Sequence, residues 1–123
     1  MWRLQVKLFG LLASFSFLPL AGMANDATVV SAELRAIGGT WTVSVTLEHA
    51  DTGWDDYADG WEVLDADGAR LGFRELLHPH VNEQPFTRSL SGVTIPDNLT
   101  SVFIRARTNT DGWGDSMLEV SIP

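Results

Sequence analysis

Apolar and polar side chains alternate along most of this sequence, and a period of two marks half-buried β-strands. Val30, Ala32, Leu34 and Ala36 are apolar, with Ser31, Glu33 and Arg35 between them. Gly38-Gly39 follows, a pair suited to the positive φ angles of a tight hairpin turn. Trp41, Val43, Val45 and Leu47 then alternate with Thr42, Ser44, Thr46 and Glu48, the clearest strand in the chain. Shorter runs predict a third strand over 61–64 and a fourth over 70–77. A fifth carries Phe86, Arg88 and Leu90, a sixth Val102, Ile104 and Ala106, and a seventh Leu118, Val120 and Ile122. Asp65-Ala66-Asp67-Gly68 reads as an Asx-type turn, and 92–98, with Pro96, as a corner. Residues 49–60, 78–85 and 109–115 read as loops, the last with Gly112-Trp113-Gly114 at its tip. No helical pattern of useful length follows residue 24. Seven short strands at regular spacing predict an all-β, antiparallel sandwich.

The first 24 residues break this pattern. Arg3 and Lys7 precede an almost wholly apolar run from Leu8 to Leu20; Pro19 and Gly22-Met23-Ala24 follow. This is the layout of a cleaved secretory signal peptide. An uncleaved N-terminal anchor is the alternative, but the run is shorter than the ~20 residues of a comfortable membrane span. The expected organisation is a leader over 1–24 and one domain over 25–123, with no membrane span after cleavage. All 16 acidic residues fall in 25–123 against six arginines and no lysine, a formal charge of −10. Such a surface disfavours nucleic acid and anionic lipid and favours cations or basic partners. There is no cysteine, so the domain must fold on its core alone or with a bound ion, and no lipid-bearing cysteine follows the leader. The expected location is a bacterial periplasm or the medium.

Leu90-Ser91-Gly92-Val93-Thr94-Ile95-Pro96 followed by Phe103-Ile104-Arg105-Ala106-Arg107 resembles the E–F region of fibronectin type III and related immunoglobulin-like domains. The resemblance implies a seven-stranded antiparallel immunoglobulin-like sandwich. The corner tyrosine of those domains has no counterpart, because Tyr57 is the single tyrosine. The block from His49 to Arg107 also resembles small exported bacterial proteins, which implies a periplasmic setting and brings no activity with it.

In such a sandwich successive connections alternate between two poles. One pole receives the tight turns at 38–39, 65–68 and 96. The other receives the three longer loops, which hold His49, His78, His80, Trp54, Tyr57, Trp113 and most of a dense acidic run. Binding residues concentrate on loops carried by a rigid scaffold; long loops also collect polar residues for no other reason than exposure.

Three constellations stand out at that pole. His78 and His80 point the same way from an extended segment stiffened by Pro79. His49 leaves β-register with Leu47 at the rim of the core. With Asp51 or Asp111 these imidazoles would suit copper or zinc; otherwise they bond to loop backbone and cap the 78–85 turn. Asp51, Asp55, Asp56, Asp59, Glu62, Asp65 and Asp67 would suit calcium, against a solvated turn-forming stretch. Trp54, Tyr57 and Trp113, set among Asp55, Asp56 and glycines, match a surface for an envelope protein or glycan, against indoles folded onto the core. Trp41 and Trp61 have core phasing. The strand arginines 70, 74, 88, 105 and 107 are expected to pair across strands with Glu62, Glu75 and Glu119, with 70 and 74 sharing one face. Hydrolase elbow, phosphate loop and zinc-protease motifs are absent, so the expectation is a binding protein or a ligand-free accessory domain rather than an enzyme.

Overall fold

A computed structural model describes residues 25–123; the leader lies outside the described residues. The chain forms β1 (Thr28–Ile37), β2 (Thr40–Glu48), β3 (Ala58–Leu64), β4 (Arg70–Glu75), β5 (Phe86–Val93), β6 (Ser101–Thr108), β7 (Gly112–Trp113) and β8 (Leu118–Ser121). All pairings are antiparallel, in a sheet ordered β1-β2-β5 and a second ordered β4-β3-β6, with β7 and β8 both pairing β6. No helix occurs among the described residues, so none there is long and apolar enough to cross a membrane.

The alternation sorts side chains as the pattern predicts. Val43, Val45 and Leu47 of β2 face Trp61 and Val63 of β3 and Val102 and Ile104 of β6 in one core. Trp61 is fully buried at its centre. Each such side chain contributes on the order of 1.5–3 kcal/mol, and this burial does the work that disulfides do in many small exported domains. Outside the core, Ser44 and Thr46 of β2 meet Ser89 and Thr87 of β5 hydroxyl to hydroxyl at 2.7 Å, pinning the register of the smaller sheet.

Four local expectations are corrected. Eight strands replace seven, because Gly112 and Trp113 pair back onto Thr108 and Arg107 as β7; the loop tip is Asn109–Asp111, not Gly112-Trp113-Gly114. The third strand starts at Ala58 and the fourth ends at Glu75. A bulge between Val29 and Ser31 turns Val30 outward, so Val29 and not Val30 continues the inward series of Ala32 and Leu34. A second bulge, opposite Val63 and Leu64, reverses the phase of β4. Arg70 therefore joins Phe73 on the outer face, while Arg74 reaches across to donate to the Ser89 carbonyl at 2.8 Å.

Of the expected arginine partners, Glu62 is realised. It is 2% exposed and takes Arg70 Nε at 2.9 Å and Arg105 Nη2 at 2.6 Å. Arg107 pairs instead with Asp59 at 2.8 Å and Arg88 with Glu83 at 3.5 Å. Glu119 accepts from the Ser101 hydroxyl, and Glu75 makes no ion pair among the described residues.

Candidate functional site

Strand direction gathers 49–57, 76–85 and 109–111 at one end of the sandwich, and Asp51 organises that end. The chain turns sharply after β2, with Asp51 N donating to the His49 carbonyl at 2.8 Å. This folds the carboxylate inward, where it is shut off from solvent. Oδ1 accepts from His49 Nδ1 at 2.6 Å and from Ala58 N at 3.0 Å; Oδ2 accepts from His80 N at 2.8 Å. One side chain thus ties the end of β2, the start of β3 and the loop after β4. Gln84 closes the ring: its carbonyl accepts from His49 N and its amide donates to the His80 carbonyl, both at 3.0 Å. His49 Nε2 lies 2.9 Å from the Asn25 carbonyl, which fastens the incoming chain to this end.

His80 is buried beside this hub. Its ring stacks on Phe86 with centroids 3.9 Å apart and planes at 11°. Arg88 Nη2 donates to His80 Nε2 at 2.8 Å, and His80 Nδ1 is buried without a partner. Burial holds the His80 pKa below its ordinary value, and the positive charge of Arg88 and the neighbouring His78 add to the fall. Glu83 and Asp51 oppose them. His78 sits over His80 with centroids 4.6 Å apart, but is itself exposed.

Next to the hub the chain runs Gly53-Trp54-Asp55-Asp56-Tyr57 across the surface. Trp54 is 65% exposed and meets the half-buried Tyr57 edge to face at 5.6 Å and 79°. Asn109, in the turn after β6, clasps this stretch. Its amide donates to the Trp54 carbonyl at 2.9 Å, its side-chain oxygen accepts from Tyr57 N at 2.8 Å, and its own N–H donates to the Tyr57 carbonyl at 3.1 Å. Thr110 adds a bond to Asp56 Oδ1 at 3.2 Å. The backbone carrying the exposed indole is therefore held by the turn after β6.

The structure brings His49, Asp51, His78 and His80 to one end, as the strand order predicts, but not into a ligand set. Nδ1 of His49 lies against the Asp51 carboxylate and Nε2 against the Asn25 carbonyl, so an ion would have to displace one of these contacts to reach the ring. Both Asp51 oxygens are taken by hydrogen bonds, and Asp111 accepts from the Asn25 side chain at 3.1 Å. Among the described residues no group of three or more His, Asp, Glu or Cys side chains is placed to hold a metal ion. The acidic run does not converge on a calcium loop either. Asp65 caps its own turn through Asp67 N and Ala69 N, while Asp59 and Glu62 are spent on arginines.

Trp113 parts company with Trp54 and Tyr57. Pairing of β7 with β6 lays it on the outer face of the larger sheet. There the guanidinium carbons of Arg105, Arg107 and Arg70 lie 5.0, 5.5 and 5.7 Å from its ring centre. Asn25, Gln84 and Asn109 complete the site without having been singled out by sequence. Asn109 joins partners 52 and 55 positions away, a pairing that no local pattern announces.

No protein-family model and no solved structure matches this chain. It is similar to a protein of the archaeon Halomicrobium mukohataei named "Putative lipoprotein", 44% identical over 97 residues, which are 78% of this chain and 47% of that protein. The chain thus spans about half the length of the relative it matches.

Proposed function

We propose that residues 25–123 form an exported, cell-envelope binding module that docks a glycan chain on Trp54 and Tyr57. The exposure of Trp54 on a clamped backbone carries the reading. Leaving a large indole in water is costly, and ordering the loop around it adds a conformational cost. Both costs make sense where a ligand covers the ring. An indole face packs against the C–H face of a pyranose. Tyr57, set across it at 79°, offers a second wall, and the exposed Asp55 carboxylate beside it accepts sugar hydroxyls. Preformed geometry lowers the ordering cost of binding.

The envelope setting rests on the apolar leader pattern over 1–24 and on the lipoprotein name of the archaeal relative. The body is read as immunoglobulin-like in its paired antiparallel sheets. It differs from the immunoglobulin constant arrangement in that β4 pairs β3 rather than β5. No catalytic step belongs to this reading.

Intrinsic tryptophan fluorescence tests it. The protein is titrated with neutral hexasaccharides of glucose, mannose and N-acetylglucosamine to about 5 mM, the weak end of specific binding. A saturable change is expected with at least one sugar. Trp54→Ala abolishes it while leaving the unfolding midpoint in place, and Trp54→Phe retains part of it. A flat response to the whole panel refutes glycan docking.

A further inference from the structure

We propose that β1 is a self-association edge, pairing antiparallel with β1 of a second copy about a two-fold axis at Leu34. β1 is the longest strand in the fold and pairs β2 along one side. On its other side, no backbone hydrogen bond to any described residue occupies it. Such an edge is a template for another strand, and proteins commonly blunt it with lysine, proline, shortness or a bulge. β1 has neither lysine nor proline, and its one bulge sits near the start, at Val30. From Ser31 to Ile37 the pairing with β2 is regular, and on the other side β8 lies near β1 without a backbone hydrogen bond to it.

The register follows from charge. An antiparallel two-fold pair in a ladder must place its axis on a residue, since only residues on the same face can oppose each other. An axis at Leu34 sets Glu33 of each copy opposite Arg35 of the other, giving two symmetric ion pairs on the outer face. Moving the axis to Glu33 sets that carboxylate against itself, and moving it to Arg35 does the same to the guanidinium; like charges directly opposed are destabilising. Neither Glu33 nor Arg35 has an ion-pair partner among the described residues. Their neighbours on β2, Ser44 and Thr42, are neutral.

The inner face agrees. The same axis opposes Leu34 to Leu34 and Ala32 to Ala36, with Leu34 and Ala32 packed against the core and Ala36 exposed at its margin. Beside this edge lies a mixed cleft of about 360 Å³, where Ala32, Leu34, Val120 and Pro123 meet the polar Glu33 and Arg35. Val120 and Pro123 give the incoming leucines a narrow apolar strip within this mixed cleft. The contact is isologous and closes on itself, as a two-fold interface must.

Seven paired residues a side make a small interface, so association on the order of 10–100 μM is expected. Sedimentation velocity on the purified protein from about 5 μM to 1 mM tests this. The wild type is expected to move from monomer to dimer across that range. Glu33→Arg and Arg35→Glu each weaken the dimer about tenfold or more by opposing like charges. The double variant, with the pair reversed, restores it; since both positions are exposed, the unfolding midpoint checks that each variant folds. A monomer at every concentration overturns the proposal, whether the edge stays bare or another protein covers it. So do single variants that dimerise like the wild type, or a double variant that stays weak. Trp54→Ala leaves the dimer intact, which keeps this outcome separate from glycan docking.

Discussion

Asp51→Ala is expected to be among the most damaging single substitutions in the domain outside the apolar core. The carboxylate is fully enclosed and receives two backbone N–H groups, from Ala58 and His80, and the His49 ring. Alanine leaves both N–H groups buried without acceptors, at about 1–3 kcal/mol each, and strands the ring as well. Breaking a buried ionic or charge-assisted set in this way costs about 3–5 kcal/mol. A domain of this size has a total of about 5–15 kcal/mol. In urea unfolding followed by tryptophan fluorescence, with a slope near 1.5 kcal/mol/M, the midpoint should fall by about 2–3 M. Asp51→Asn keeps one acceptor and turns the other position into a donor facing an N–H, so about half of the loss should remain. Asp55→Ala, on the exposed side of the same loop, should change stability by no more than about 0.5 kcal/mol. An Asp51→Ala midpoint shift corresponding to less than about 1 kcal/mol would refute the hub as the organiser of this end.

Three further outcomes are expected. The His80 ring is held below its ordinary value of 6.5 by burial, then by Arg88 and His78. Below pH 6.5 the unfolded chain therefore binds the extra proton first, so this contribution is whole above that pH and is lost as pH falls. Thermal unfolding between pH 7.5 and 5.5 should lose stability more steeply for the wild type than for His80→Gln; parallel profiles would contradict this. Gly60→Ala brings a methyl group to 3.0 Å from the Phe73 ring and 3.2 Å from the Arg74 carbonyl. Since the backbone atom cannot swing away, a loss of about 1–3 kcal/mol by chemical denaturation is expected, and a neutral result would show that β3 and β4 separate easily. Equimolar zinc or copper should leave the melting temperature unchanged, given the engaged nitrogens of His49. A rise that His78→Ala with His80→Ala removes would reinstate the histidine end as an ion site.

Strand positions were legible because a period of two survives wherever one face is buried, as in Trp41 to Leu47. The bulges in β1 and β4 were not, since one inserted residue reverses the phase without changing local composition. That is why Val30 and Arg74 point the unexpected way. Gathering of the histidines at one end was legible from strand reversal alone. Their chemistry was not, because it depends on whether each nitrogen finds an acceptor, and Asn25 supplies one for His49 from 24 residues upstream. Trp113 shows the same limit. Glycines on either side suggested a loop tip, but pairing of Gly112 and Trp113 with β6 carries the ring onto the arginine face.

The fastening of Asn25 has a practical corollary. The polypeptide enters this body beside the Trp54 loop, whereas β8 runs away from that end and Ile122 bonds the Thr100 carbonyl at the far end. The two termini of the module therefore open on opposite sides, like the holes of a bead. A tag or surface linkage fused after Pro123 would leave the indole facing open solvent; one fused ahead of Asn25 would crowd it. In any longer polypeptide threaded through this bead, the aromatic face would lie at the upstream joint, where a preceding segment is positioned to shield or present it.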